Sequence, residues 1–238
     1  MTADRWTRAV RQQLGLGRLL PLGEARDGAW ISERAVEAVL GRATRDTPGV
    51  RLDTLRIALA DSTEIHEPTV PAPPSALPPG PLRVTAQFAA TAARPLPETA
   101  SLLRAALASA AARRLGLTVA EVDLTVTGLL EEEDPDGEPG AAPPEPPPAE
   151  RVEGGDEGRV AAAALEVPGV LRLTGTLGHP VHIEERPADA ALPRRHVRLE
   201  VAVAAERRAG DVARAVRTAV GEVLPDRPTV AVVVSALG

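Results

Sequence analysis

The step Pro-Gly-Val occurs twice, at Pro48–Val50 and at Pro168–Val170, and each time it leads into a run of alternating apolar and polar residues. Around the first step the pattern is complete. Val36, Val39, Leu40 and Ala43 recur at i, i+3, i+4 and i+7, one face of a helix. Ser32 stands where an N-cap belongs, Glu33 falls in the positive first turn, and Ile31 and Val36 occupy the positions of a hydrophobic staple. Pro48-Gly49 ends that helix, and Val50 to Ala60 reads as a strand. His66 to Pro81 holds too much proline for a central strand and reads as a loop. Val84, Ala86 and Phe88 then alternate with polar residues, as in a strand with one buried face. A helix with Leu103, Leu107 and Ala110 on one side runs to Gly116, and Val122 to Leu130 closes the unit as a strand.

The second step sits in the same order of patterns. "RVAAAALEVPGV" is a helix remnant that has lost its opening turns, "LRLTGTLG" a strand, and "PVHIEERPADAALPRR" a loop or hairpin. "HVRLEVAVA" puts Val197, Leu199, Val201 and Val203 on one face, with Arg198, Glu200 and Ala202 on the other. A helix follows, capped by Asp211, with Val212, Ala215, Val216, Ala219, Val220 and Val223 as its stripe. A Val-rich strand ends the sequence. The expected fold class is α/β (α+β): two repeated two-layer units, each helix-strand-loop-strand-helix-strand with a small mixed sheet.

Between the units, Glu131 to Gly158 holds eleven acidic residues, seven prolines and one arginine. Such a run cannot bury enough apolar surface to offset its ordering entropy, so it reads as a solvated linker that packs on nothing. It also accounts for the net charge of −6; without it, 26 Arg stand against 22 acids, a balance of +4. The expected organisation is an N-terminal amphipathic helix and arm over 1–30, a first unit over 31–130, a disordered acidic linker over 131–157 and a second unit over 158–238. Trp6, Trp30 and Phe88 are the whole aromatic stock. A unit of this size built from Val, Leu and Ala is marginal alone, so the two units are expected to pack against each other within the chain. The expected contact is the helix at Asp211–Leu224 or the strand at Val197–Val203.

A helix ending in "EVPGV", a strand, an alternating strand, then "VARAVRTAV" and a terminal Val-rich strand is similar to the alkaline shock protein family of Gram-positive bacteria. The likeness is clearest in Leu165–Leu171 with Val197–Leu237, and it is also carried by Ile31–Val50 with Leu82–Leu129. The resemblance implies a non-enzymatic interaction protein at the cytoplasmic membrane face, recruited by an anchor protein and tied to cell-envelope homeostasis under stress. Two fused copies, the proline-rich loop and the added N-terminal segment depart from the family pattern.

The chain contains no cysteine, which excludes disulfides, thiol catalysis and Cys-ligated metal centres. No run approaches 18 apolar residues and the N-terminus has no signal-type apolar region, so the expectation is a cytoplasmic protein with no transmembrane segment. His179 and His182, followed by Glu184 and Glu185, offer metal-type ligands, but Pro180 bars the helix that such spacing suits, and exposed loop histidines are expected. A metal-dependent small-molecule hydrolase using His179 and His182 is the alternative function. Ser101 and Ser235 lack the tight elbow and His of a serine hydrolase. "GLGRLLPLG" lacks the third glycine and preceding strand of a dinucleotide site, so no cofactor is expected. Arginines are not interleaved with aromatics, which argues against nucleic acid as a partner. Trp6, Val10 and Leu14 lie on one side of a short helical wheel, with Arg5, Arg8 and Arg11 on the other. That stretch is the candidate partner-binding site, docking an anchor protein or an anionic surface, or else folding onto its own first unit.

Overall fold

The computed structural model describes residues 17–61, 63–131, 149, 152, 154–188 and 191–238. The order is β1 Leu19–Pro21, β2 Ala29–Ser32, α1 Glu33–Arg45, β3 Val50–Leu59, β4 Leu82–Thr91 and α2 Leu96–Ala110. A π-type turn at Ala111–Leu115 extends α2 and is followed by β5 Val119–Leu130, α3 Gly155–Leu165 and β6 Val170–Leu173. The chain ends with β7 Val181–Ala188, β8 Ala191–Val203, α4 Ala209–Val223 and β9 Thr229–Leu237. This is a mixed α/β fold with two mixed sheets.

The small sheet runs β3-β4-β5, with β3 antiparallel and β5 parallel to β4. The larger sheet runs β1-β2-β9-β8-β6, with β7 also paired to β8. Within it β6 and β7 are antiparallel and β9 parallel to β8. Each parallel pair is joined through a helix, α2 in one half and α4 in the other, because parallel strands need a long crossover. The inner faces of both sheets and all four helices share one apolar core, to which Phe88, Leu103 and Leu107 from one half and Val216, Val220 and Val234 from the other all belong.

The N-terminal arm belongs to the larger sheet. Leu19, Leu20 and Pro21 are buried, and β1 pairs antiparallel with β2 across the turn at Gly23–Gly28. Gly23 has φ +90 and lies so close to Asp27 that a Cβ there would strike its carboxylate. Asp27 accepts the Glu24 N–H at 2.8 Å and holds the turn closed. Next, β2 lies parallel to β9, with Ala29, Trp30 and Ile31 opposite Val232, Val233 and Val234. The contact between the halves is therefore strand pairing, and it uses β9 rather than the expected strand Val197–Val203. The α4 helix does touch β2 and the π-type turn, with Arg208 Nε donating to the Ala112 carbonyl at 2.9 Å.

Ser32 closes this junction. Its hydroxyl caps α1 by accepting the Ala35 N–H at 3.1 Å and donates to the Ser235 carbonyl of β9 at 2.8 Å. Arg18 adds a second tie, bonding Glu33 at the start of α1 and the Ile57 carbonyl of β3 at 2.6 Å each. The proline-rich segment is a cover for the outer face of the larger sheet. Val70 packs with Leu19, Trp30, Ala231 and Val233, and the Trp30 indole donates to the Leu77 carbonyl at 3.2 Å. Covered on both faces, β9 reads as the continuous apolar run "TVAVVVSAL".

Four local expectations are corrected. The helix before the second Pro-Gly-Val step is not a remnant: α3 begins at Gly155, inside the stretch read as linker, and is only two residues shorter than α1. Ala149 and Val152 also pack against the core, and the Ala149 N–H reaches the Leu173 carbonyl at 3.4 Å, so the end of the acidic run buries its few apolar residues. Asp211 is not a cap. α4 starts at Ala209 without a side-chain cap, and Asp211 sits in the first turn, where it pairs with Arg208 and Arg214. The buried stripe of α4 includes Ala213 in place of Ala215, which is exposed, because the helix also packs toward β2 and the π-type turn.

Ser32→Ala removes a helix cap and a buried hydrogen bond at once, which should lower stability by roughly 1–3 kcal/mol. Since the Ser32 bonds and the core span both halves, calorimetry should show one transition moving to lower temperature; two transitions, one of them unmoved, would refute a joint core.

Candidate functional site

Among the residues singled out from sequence, Trp6, Val10 and Leu14 lie outside the described residues. His66 and His179 are exposed. His182 is on β7, with its Nε2 3.8 Å from the Glu184 carboxylate. Among the described residues no three His, Cys, Asp or Glu side chains converge as a metal site. Ser235 is buried, and its hydroxyl is held by the Thr174 hydroxyl at 2.6 Å and the Val201 carbonyl at 3.3 Å. The Ser101 hydroxyl donates within its own helix to the Pro97 carbonyl at 2.8 Å.

What the sequence did not bring together is a polar cluster on the outer face of the larger sheet. Residues two apart on a strand share a face, and directly opposed residues share it too. β7 contributes His182 and Glu184, β8 contributes His196, Arg198 and Glu200, and β9 contributes Thr229. In the register His182 faces Arg198, Glu184 faces His196, and His196 faces Thr229. His196 is buried, and its Nδ1 is 2.9 Å from the Thr229 hydroxyl. Arg198 keeps a buried Nε that has no hydrogen-bond partner among the described residues.

Glu200 is fully buried, although strand alternation placed it toward solvent. The turn after β6 folds back over it. One carboxylate oxygen accepts the Thr176 N–H at 2.8 Å together with the Thr176 hydroxyl, and the other accepts the Leu177 N–H at 2.8 Å. These bonds favour the charged carboxylate, but burial outweighs them and raises Glu200 to about 7. His196 moves the other way. Burial is again the leading cause, and His196 is lowered to about 4; Glu184 opposes that shift, while Arg186 and Arg198 add to it. With both oxygens occupied and no exposure, Glu200 anchors a turn and is not placed to take a proton from a substrate. No signal in the local sequence would have revealed this, because the turn and the strand are 23 residues apart and only folding stacks them.

The sheet edges form the second feature. β5 is paired along its whole length with β4, and with no other strand among the described residues. Its last seven residues, Leu124–Leu130, carry no charge and no proline. Val126 is 38% exposed and Leu129 66% exposed, the latter exceeding every other exposed large apolar residue described. At the far end of the larger sheet, Leu171 on β6 is 49% exposed and Leu165, at the end of α3, is 48% exposed. Among the described residues no helix is long and apolar enough to cross a membrane. Neither a family model nor a curated protein matches this chain.

The two buried titrating groups make opposite contributions to stability against pH. Glu200, raised from 4.5 to about 7, binds its proton more tightly in the folded chain, so its contribution favours the fold below about 4.5 and fades as pH rises to about 7. His196, lowered from 6.5 to about 4, favours the fold above about 6.5 and loses that contribution as pH falls to about 4. Relative to wild type, Glu200→Gln should therefore become progressively less stable on acidification, and His196→Gln progressively more stable. Thermal melts across this range check the signs, and parallel curves for all three proteins would contradict them.

Proposed function

We propose that this protein is a non-enzymatic interaction or scaffold protein of the envelope-stress type, acting through protein partners at the cytoplasmic face of the membrane. The observation that carries the reading is that both sheets end on an outer strand bearing exposed leucine. An outer strand presents unpaired N–H and C=O groups, and folds normally shield these with charge, proline or a covering segment. Here the shielding is uneven. The proline-rich segment covers the outer face at Trp30, whereas Leu129 and Leu171 stand open. Strand addition and packing on such an apolar rim are established ways of holding a protein segment. The order of helix, antiparallel strand, crossover helix and parallel strand in each half, together with "EVPGV" and "VARAVRTAV", supports the likeness to the alkaline shock proteins.

The test is to express the full chain with a fluorescent tag and to image it beside Leu171→Lys. Peripheral localisation that becomes diffuse with Leu171→Lys, while the thermal midpoint is unchanged, is the expected result. The reading fails if the wild-type protein is diffuse under envelope stress, or if untagged protein carries stoichiometric, chelator-removable zinc that His182→Ala abolishes.

A further inference from the structure

We infer that the end of the fold at the second Pro-Gly-Val step is a membrane-contact surface, with Leu165 and Leu171 entering the interface of an anionic bilayer and Arg113, Arg114, Arg207 and Arg208 on its headgroups. The inference rests on the reading of a protein that works at the membrane face, and adds a direct lipid contact to its protein partners. Turns from both halves meet here. Arg207 packs on the step itself: a Cβ on Gly169 would lie 3.0 Å from its Cγ and 3.4 Å from its Cβ. Arg208, the next residue, reaches into the other half. Its Nε donates to the Ala112 carbonyl at 2.9 Å and would stand 3.3 Å from a Cβ on Gly116. Arg113 and Arg114 belong to that same π-type turn, Ala111–Leu115. All four arginines are exposed. Arg208 pairs with Asp211, which also holds Arg214, whereas Arg113, Arg114 and Arg207 have no carboxylate partner among the described residues. The other exposed acids of these turns are Glu166 and Glu206, so cations prevail.

The leucines select a bilayer over an acidic protein or a nucleic acid. Leu165 stands three residues before Pro168 and Leu171 three after it, 48% and 49% exposed. At the same offsets from Pro48 the first half carries Arg45 and Arg51. Exposed leucine is therefore confined to the step that lies against Arg207. A peptide strand would find the edge of β6 already in use, since the Ala149 N–H reaches the Leu173 carbonyl at 3.4 Å. A nucleic acid would want aromatic platforms, and Trp30 and Phe88 are buried. Apolar side chains beside cations are what an anionic interface takes up: the leucines enter the acyl boundary, and the guanidinium forks pair with lipid phosphates.

The test is sedimentation of full-length protein with vesicles of phosphatidylcholine, alone or with about one third phosphatidylglycerol. The protein should pellet only with the anionic vesicles, and less at high salt. Arg113→Glu combined with Arg207→Glu should lower the partition coefficient at least ~10-fold, and Leu171→Ser at least ~3-fold, with unchanged circular dichroism. Arg45→Glu, at the first step, should leave it unchanged. Because the chain has no cysteine, Leu171→Cys carrying an environment-sensitive dye should shift to the blue on anionic vesicles, and Thr218→Cys, exposed on α4, should not. Protein that stays in the supernatant with anionic vesicles overturns the inference. So does vesicle binding that the double arginine variant leaves intact, and so does capture of polyglutamate or DNA in place of vesicles. The vesicles contain no protein, so each of these failures leaves the reading through protein partners to the localisation test in cells.

Discussion

The pairing of β2 with β9 is the constraint on which the rest depends. It joins Ala29–Ile31 to Val232–Val234, stretches 203 positions apart in the chain. Such a contact carries a large loop-closure cost, and a few ladder bonds alone would not offset it. Burial on both sides does. Ile31 and Val234 belong to the shared inner core, while Trp30 and Val233 face outward under the proline-rich segment. Ser32 then uses one hydroxyl for two tasks, starting α1 and fastening it to β9. Because α1 leads directly into the first half and β9 ends the second, neither half completes its core without the other. A chain with three aromatic residues meets its shortage of apolar area by building one core in place of two.

The outer face of the larger sheet shows how a polar cluster can be structural. Glu200 lies where a solvated glutamate would be expected, yet it closes the turn at Thr176 and Leu177, and that turn packs Leu177 beside the Trp30 cluster. Burial governs both Glu200 and His196 and drives them in opposite directions, since it disfavours the charged form of each. Exposed leucine side chains lie instead on outer strands of the two sheets, Leu129 on β5 and Leu171 on β6.

Much of this fold was legible in the sequence. Helical spacing located Val36, Val39 and Leu40, and Ser32 was readable as a cap, because helix periodicity and capping depend on residues within one or two turns. Strand alternation found the buried row Val84, Ala86 and Phe88 for the same local reason. The order of elements around each Pro-Gly-Val step was also local information. The failures were long-range. Glu200, set by alternation on the face opposite the valines, is buried because a distant turn closes over it. Asp211 looked like a cap, but α4 begins three residues earlier than that cap implies, at Ala209 after Arg208, and Gly210 in its first turn packs closely on Leu115 and Gly116.

The sequence by itself determined most of the helices and strands from α1 onward, where proline and glycine interrupt them, and that the chain builds its core from aliphatic residues. Each of these is decided by neighbours within a few positions. The sequence did not show β1, β2 or the start of α3. Only the tertiary structure decided that the arm at Leu19–Ser32 serves the sheet of the opposite half, that the proline-rich segment is a lid over Trp30, and that β9 gains a partner strand where β5 has none described. Pairing along a strand edge is made of backbone bonds that every sequence can form, so choosing among partners requires the whole set of buried faces to close at once.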